Sequence, residues 1–329
     1  MNKRNWLVLL LIGAFAITTF NSCKKEEETN EDTGETEWSR SKVFIGDPRS
    51  GAASFTIDDV AYLVGGFLKT NEVLDDAYSF NGDSWSSRAD FAGAPRHSAV
   101  GFSINGKGYV GLGYGGEDNA LSALNDFYRY DPASNEWTRI ADFPGEARWG
   151  AVAFSLGDYA YVGLGTRSTD KTYSDFYRYN PSSDSWSQVE TPFSYKKGDA
   201  FAFVIGDKAY VGGGFSNNNL PEDFYSFDGE TWNAEEDLNT DSYDARRYRS
   251  VAFTIGNYGY VVSGRSSSGV VSTVWKYDPS NKSWSDGSES LGSAREKAVG
   301  FSLNGVGYIT TGVSGTSYLD DTWEFRPVR

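Results

Sequence analysis

The stretch that decides how this chain folds is RWGAVAFSLGDYAYVGLGTRSTDKTYSDFYRYNPSSDSW, residues 148–186. Small and apolar residues alternate within it, and each alternating run ends at a tight turn or at a cluster of Gly, Ser and Asp. The runs predict four consecutive strands, at Ala151 to Leu156, Tyr159 to Gly163, Phe176 to Tyr179 and around Trp186. A four-stranded unit of this size cannot bury its own aromatic faces, so it must pack against copies of itself.

The sequence contains six copies of this unit. A basic residue stands six positions before the phenylalanine of each first strand, with spacings of 47, 52, 49, 50 and 48 residues: Arg49, Arg96, Arg148, Lys197, Arg247 and Arg295. Thirteen residues after each stands a tyrosine, and seventeen after each a glycine: Tyr62, Tyr109, Tyr161, Tyr210, Tyr260 and Tyr308, then Gly66, Gly113, Gly165, Gly214, Gly264 and Gly312. These offsets define a repeat array with a period near fifty residues.

Two further features accompany the glycine that ends each second strand. The third strand begins with aromatic residues, and the fourth carries a tryptophan: Tyr128, Tyr177, Tyr225 and Trp275, then Trp85, Trp137, Trp186, Trp232 and Trp284. The array, from about Trp38 to Phe325, resembles the kelch repeat, although only Gly65-Gly66 and Gly213-Gly214 keep the family's glycine doublet. The resemblance implies an all-β, six-bladed β-propeller. It implies little about activity, because kelch propellers include enzymes and binding modules.

The sixth repeat lacks a fourth strand. Arg295 is followed by 34 residues, and the sequence ends just after a third strand at Asp321 to Phe325. The missing element is a tryptophan followed eleven residues later by a basic residue, and Trp38 with Arg49 supplies this pattern before the first repeat. We therefore predict that the N-terminal strand completes the last blade and closes the ring. The alternative is an N-terminal strand that stays unpaired.

The first 22 residues are predicted to be an export signal. Lys3 and Arg4 precede an apolar run that is short for a membrane span, although a retained anchor helix is the alternative. Cys23, the single cysteine, follows Phe20-Asn21-Ser22, which resembles a bacterial lipobox. The resemblance implies cleavage before Cys23 and lipidation of that residue. The predicted domains are thus a signal (1–22), a lipidated cysteine with an acidic tether (23–37) and the propeller (38–329).

The tether bears on where the protein resides. Its lysines and glutamates directly after Cys23 resemble the surface-export signal of some Gram-negative lipoproteins. We expect a monomer that contacts the outer membrane through its lipid anchor alone and faces the cell surface, with the periplasmic face as the alternative.

Charge and residue types argue against several functions. Loss of Lys3 and Arg4 with the signal leaves 28 basic against 45 acidic residues, a net charge of −17 that disfavours nucleic acid as a partner. His97 is the single histidine, so no metal site of His and Cys and no cofactor are predicted. The acidic loops at Gly116 to Asn119 and Asn217 to Glu222 lack ordered calcium-ligand spacing and are predicted to be solvated.

Residues repeated in every unit are predicted to be structural. The first-strand phenylalanines and the repeated tyrosines should fill the space between blades: Phe55, Phe102, Phe154, Phe203, Phe253 and Phe301. An aspartate that precedes five of the six third strands is predicted to cap a turn: Asp76, Asp126, Asp175, Asp223 and Asp321.

A ligand-binding face is predicted where the loop before each first strand meets the loop after each second strand. Residues of these loops vary between repeats while the core positions do not, as expected of a binding surface on a regular scaffold. The predicted ligand-binding residues are Arg49, Arg96, Arg148, Trp149, Lys197, Arg247, Tyr248, Arg249, Arg295, Arg167 and Arg265. Lys297, Phe67, Tyr114 and Phe215 lie in the same loops.

The predicted function is a binding module for an anionic glycan or a protein partner, because convergent guanidinium groups match carboxylates. In the alternative interpretation, the six repeated basic residues bond to neighbouring carbonyls and acidic side chains. A second functional alternative is a metal-free sugar mutarotase, as in some exported bacterial kelch propellers. Its acid and base would be sought among Glu296, His97 and Asp199. We favour binding over catalysis.

Overall fold

The computed structural model of the protein describes residues 36–117, 120–168, 171–289 and 292–327. These residues form β-strands and loops without any helix, so they include no helical segment that could span a membrane. The predicted signal, Cys23 and the tether up to residue 35 lie outside the described residues.

Across the described ranges, the longer strands form six antiparallel sheets of four strands each, and the first sheet has an additional short strand. Five of these sheets take their strands in chain order. Their bounds are Ala53–Ile57, Val60–Leu68, Val73–Phe80 and Trp85–Arg88; Val100–Ile104, Lys107–Gly111, Phe127–Asp131 and Glu136–Ile140; Val152–Leu156, Tyr159–Gly163, Phe176–Asn180 and Ser185–Val189; Phe201–Ile205, Lys208–Gly212, Phe224–Phe227 and Trp232–Ala234; and Val251–Ile255, Tyr258–Val262, Thr273–Asp278 and Ser283–Glu289.

The sixth sheet combines both ends of the described chain. Its strands are Val299–Leu303, Val306–Thr310, Thr322–Pro327 and Thr36–Arg40, and the last two pair antiparallel with Trp38 opposite Phe325. The indole of Trp38 is 3% exposed, and its ring centroid lies 4.7 Å from that of Phe325.

Short strands join the loops at one end of the sheets. They are Arg49–Ser50, Arg96–His97, Tyr114–Gly115, Ser122–Ala123, Thr166–Ser168, Lys171–Thr172, Arg265–Ser266, Gly269–Val270, Val313–Ser314 and Ser317–Tyr318. Single bridges such as Trp149 with Thr166 pair the loop before a first strand with the loop after the second strand. The prediction that these two loops share one face is therefore confirmed.

The strands predicted in residues 148–186 are confirmed to within a residue, except that the fourth is now delimited as Ser185–Val189. The backbone conformation explains why glycine is repeated at the end of the second strand. Gly165 adopts a φ of +97°, and a Cβ there would lie 3.0 Å from the carbonyl oxygen of Trp149. Its N–H donates to the carbonyl of Lys197 in the following repeat, so the glycine also links consecutive repeats.

The predicted core between sheets is confirmed. Phe154 stacks on Tyr161 at 5.4 Å, and the pair contacts Phe227 and Trp232 of the next sheet at 5.0 to 6.4 Å. The equivalent phenylalanine and tyrosine stack in every repeat, and all twelve rings are buried. Burial of these rings between sheets is the main apolar contribution to stability.

A circle of six backbone hydrogen bonds joins the loops that precede the first strands. Each N–H donates to the carbonyl of the corresponding residue one repeat earlier, with N···O distances of 2.7 to 3.0 Å: Ser98 to Gly51, Gly150 to Ser98, Asp199 to Gly150, Arg249 to Asp199, Lys297 to Arg249 and Gly51 to Lys297. All six residues have positive φ, between 50° and 70°. The last bond connects the sixth repeat to the first, so the circle has no gap.

An axial channel of about 190 Å³ continues below this circle. Small residues line it at the start of each first strand: Ala52, Ala99, Ala151, Ala200, Ser250 and Ala298. Side chains of this size leave the axis open, and the larger residues stand at its mouth.

The Trp38→Ala substitution should lower the free energy of unfolding by about 3–5 kcal/mol, because it removes a buried indole from the last sheet. Urea denaturation followed by circular dichroism measures this change. The control is Ser39→Ala on the exposed face of the same strand, which should alter stability by less than about 0.5 kcal/mol. Equal stability of the two variants would mean that the N-terminal strand does not hold the last sheet together.

Candidate functional site

The six repeated basic residues are buried, which corrects the prediction that they face a ligand. None is more than 2% exposed. The guanidinium of Arg148 donates to both carboxylate oxygens of Asp175, at 2.5 and 3.0 Å, and to the backbone carbonyls of Leu164 and Glu146. With four hydrogen bonds made and its surface covered, this group is inaccessible to a ligand.

The same arrangement recurs around the ring, and it corrects the role predicted for the repeated aspartate. That residue accepts hydrogen bonds from the buried basic side chain of its own repeat: Arg49 with Asp76, Arg96 with Asp126, Arg148 with Asp175, Lys197 with Asp223 and Arg295 with Asp321. The pairs tie the loop before the first strand to the start of the third strand. The alternative interpretation, in which these basic residues bond internally, is therefore the one the structure favours.

The fourth and fifth repeats deviate from this arrangement. Lys197 donates to one oxygen of Asp223 at 2.7 Å, and the other oxygen is buried without a partner. Arg247 has Thr273 where the other repeats have aspartate, and its Nε atom is buried without a partner. Burial lowers the pKa of Arg247 to about 10, although Asp286 and Asp244 oppose this. These two repeats therefore lack the complete ion pair of the other four.

The residue after each basic residue lies at the mouth of the channel. Its backbone pairs with one residue of the loop after the second strand: Ser50 with Phe67, His97 with Tyr114, Trp149 with Thr166, Gly198 with Phe215, Tyr248 with Arg265 and Glu296 with Val313. We call these twelve residues, with the six of the hydrogen-bonded circle, the mouth surface. Its backbone repeats regularly, whereas the combination of side chains is different in each repeat.

One half of the mouth surface carries charge. Arg249 donates to Asp199 at 3.0 Å and to Glu296 at 3.1 Å, and Arg265 donates to Glu296 at 3.2 Å. Burial would lower the pKa of Arg249, but the two carboxylates raise it. Two cations and two anions therefore neutralise one another. The carboxylates of the predicted acid and base candidates are both bound to guanidinium groups.

Lys297 is the remaining charged residue of the circle. Its half-buried ammonium lines a cavity of about 140 Å³ on the axis, together with Ser98, Asp199 and Arg249. The backbone of Lys297 belongs to the circle, but its side-chain ammonium has no hydrogen-bond or ion-pair partner within the described part of the chain. Burial and the charge of Arg249 lower the pKa of Lys297, while Asp199 and Glu296 partly offset this. Because Arg249 and Arg265 balance Asp199 and Glu296, the ammonium of Lys297 is the excess positive charge of this region.

His97 lies beside this cavity and is uncharged near neutral pH. Burial, together with the charge of Lys297, lowers its pKa to about 4, although Asp199 opposes this. Its Nδ1 atom lies 3.0 Å from the hydroxyl of Ser98. The ring also contacts Phe67 and Tyr114, at 5.1 and 5.7 Å. His97 is thus part of an aromatic half of the mouth surface.

The structure brings together part of the predicted site. Trp149, Tyr248, Arg249 and Arg265 lie on the mouth surface with the catalytic candidates His97, Asp199 and Glu296. Arg167 lies at the periphery, 51% exposed, and pairs with Glu146. Sequence reasoning missed Gly198. The corresponding position carries a side chain in each of the other five repeats. Among the described residues, no group of three or more His, Cys, Asp or Glu could hold a metal ion.

The model of the KLHDC2/KLHL20/DRC7 Kelch-repeats domain matches residues 21–202, more than half of the chain. The chain belongs to the kelch-repeat family. The Kelch motif also matches residues 246–290. The solved structure of YjhT is similar, with a TM-score of 0.73, 19% identity, and coverage of 86% of this chain and 96% of that one. No curated protein matches the chain. The fold is therefore a kelch β-propeller, a scaffold that supports a binding or protein-interaction module in general.

The buried ion pairs make a prediction about stability. Arg148→Ala should lower the free energy of unfolding by about 3–5 kcal/mol, because it leaves the carboxylate of Asp175 without its partner. Thermal and urea unfolding measure the loss. Arg167→Ala, on the exposed periphery, is the control and should change stability by less than about 0.5 kcal/mol. If Arg148→Ala unfolds like the wild type, the buried pair does not hold the repeat.

Proposed function

We propose that residues 38–329 form a closed six-bladed propeller whose last blade is completed by the N-terminal strand. Three observations support this. Thr36–Arg40 pairs with Thr322–Pro327. The circle of backbone hydrogen bonds passes from Lys297 to Gly51 without a gap. The first strands of the sixth and first sheets, Val299–Leu303 and Ala53–Ile57, are in contact. Closure in this way protects the edge strands of the array.

On this scaffold the proposed function is the binding of an anionic glycan at the mouth surface. The observation that carries the proposal is the ammonium of Lys297, which stands on the axis without a partner while the other cations of the mouth are paired. An unpaired, half-buried cation attracts a carboxylate or sulfate more strongly than an exposed one, since solvent screens it less. This positive charge is confined to the mouth surface, because the chain as a whole carries a net charge of −15.

Binding is preferred over catalysis because of the state of the two carboxylates. Glu296 accepts from Arg249 and Arg265, and Asp199 accepts from Arg249. A general base needs a free lone pair directed at the proton it removes, and these ion pairs compete for that position. A mutarotase built on Glu296, His97 and Asp199 is therefore not preferred.

Lys297→Met should weaken binding of polygalacturonate by about tenfold or more, because it removes the unpaired charge and keeps the length of the side chain. Affinity electrophoresis at increasing salt measures the retention, which should fall as salt rises. The control is Lys208→Met, at the exposed turn end of the fourth sheet.

Two results would contradict this proposal: equal retardation of both lysine variants, or equal retention of the wild type by polygalacturonate and neutral dextran. Retention of the protein by poly-glutamate but not by polygalacturonate would indicate an acidic protein partner in place of a glycan.

We further propose that the protein is a lipoprotein of the Gram-negative outer membrane, anchored through Cys23. The lipobox-like Phe20-Asn21-Ser22-Cys23 and the acidic segment after it support this. Cys23→Ala should abolish labelling with radioactive palmitate and release the protein from membranes. Labelling of the Cys23→Ala variant would refute the anchor. Digestion by protease added to intact cells indicates the surface, and protection indicates the periplasmic face.

A further inference from the structure

A second cavity opens on the mouth surface, beside the axis. This cleft of about 280 Å³ lies between the third and fourth sheets, with the aromatic rings of Trp149 and Phe215 in its walls. Asp199 and Arg249 line both this cleft and the axial cavity, so the two spaces adjoin. A group bound in the cleft would therefore lie next to a group bound on the axis.

The cleft lies where the fourth repeat has glycine, at position 198. The other repeats carry Ser, His, Trp, Tyr or Glu at the corresponding position. The backbone does not require glycine: Gly198 is not among the residues with positive φ, and it exchanges hydrogen bonds with Phe215 at 3.1 and 2.8 Å, as its counterparts do. A Cβ there would lie 3.3 Å from the Cβ of Thr166, a cleft-lining residue. This contact is tight, so position 198 accepts a side chain only if Thr166 shifts, and the lining of the cleft would then change.

The two aromatic walls are supported from outside the cleft. Trp149 makes an edge contact with Tyr114, with centroids 5.0 Å apart and planes at 68°. Phe215 stacks on Tyr248 at 4.8 Å and 28°. Each ring is therefore held before a ligand arrives, which lowers the entropic cost of binding.

Polar groups complete the cleft. Asn217 and Asn218 occupy the tip of the adjoining loop with φ of +46° and +63°, where asparagine is tolerated. The side-chain amide of Asn218 has no hydrogen-bond partner among the described residues. Arg249 and Asp199 add a neutralised pair of donor and acceptor groups. Asn217 and Asn218 are exposed, in agreement with the sequence prediction of a solvated loop.

We propose that this cleft binds one neutral hexopyranose residue, with its C–H face against Trp149 or Phe215 and its hydroxyls against Asn218 and the Asp199–Arg249 pair. Aromatic faces with a few directed polar groups suit such a ring. The volume is close to the lower limit of ligand pockets, roughly 300 Å³, and accommodates a single residue. An organic cation is not favoured, since Arg249 already neutralises Asp199. The proposal rests on glycan binding at the mouth surface and deepens it, without depending on the glycan's charge.

The test mixes the full-length protein separately with methyl β-D-galactopyranoside, methyl β-D-glucopyranoside and methyl α-D-mannopyranoside. Saturation-transfer NMR detects contact, and titration gives Kd in the millimolar range for at least one sugar. Phe215→Ala should weaken binding by about tenfold, and Asn218→Gly should weaken it while keeping the positive φ. Tyr159→Ala is the control, because Tyr159 is an aromatic residue at the hairpin turn of the third sheet, away from the mouth surface; it should bind as the wild type does.

Gly198→Tyr should also abolish binding by filling the cleft. It installs the side chain that the fifth repeat carries at Tyr248 on the same type of backbone bridge, and unfolding curves verify that the variant folds. The inference is overturned if none of the three sugars shows saturation transfer, or if Phe215→Ala and Tyr159→Ala bind equally well.

This failure is distinguishable from failure of the proposed function. If polygalacturonate retains the protein through Lys297 but no sugar binds in the cleft, the proposed function is supported. The inference about the cleft is then wrong. If a neutral sugar binds the wild type but not Gly198→Tyr, and polygalacturonate does not retain the wild type, the inference about the cleft is supported. The proposal that the glycan is anionic is then wrong.

Discussion

The structure depends on the buried pair between a basic residue and an aspartate of the same repeat. In the third repeat, Arg148 holds Asp175 at the start of the third strand and the carbonyl of Leu164 at the end of the second. This places the loop that follows Arg148 in one position. Trp149 can then pair with Thr166, and the residue after it can enter the circle of backbone hydrogen bonds. A side chain of the mouth surface is thus positioned by a buried charge.

Burial explains why the repeated cations do not bind ligands. A guanidinium that is fully covered must be compensated by a carboxylate and by carbonyls, or its desolvation would be strongly unfavourable. Five of the six positive charges are neutralised in this way inside the protein. The charge available at the mouth comes instead from residues such as Lys297, which follow the repeated position by two and are free to differ between repeats.

The deviations from the repeat cluster in one region. The fourth and fifth repeats have incomplete buried pairs, at Lys197 and Arg247, and the same two repeats contribute Gly198, Asp199 and Arg249 to the mouth surface. Departures from local consistency are expected where a protein uses its surface for function. All six repeats line the axial channel, whereas the cleft is lined by these two irregular repeats and the third.

The sequence by itself determined the repeat, its four strands and its aromatic core, because the phenylalanine, tyrosine and glycine stand at constant offsets that a regular backbone imposes. It also determined that the two loops of each repeat share a face. Only the tertiary structure decided where the basic side chains point. Their aspartate partners lie 26 to 30 residues away across loops of varying length, so no constant spacing marks the pairing. The circle of hydrogen bonds was equally hidden, because it places Ser98, Asp199 and Lys297 at positive φ, a conformation that their residue types do not require. The cleft beside Gly198 exists only once neighbouring repeats are packed, since its lining residues come from the third, fourth and fifth repeats.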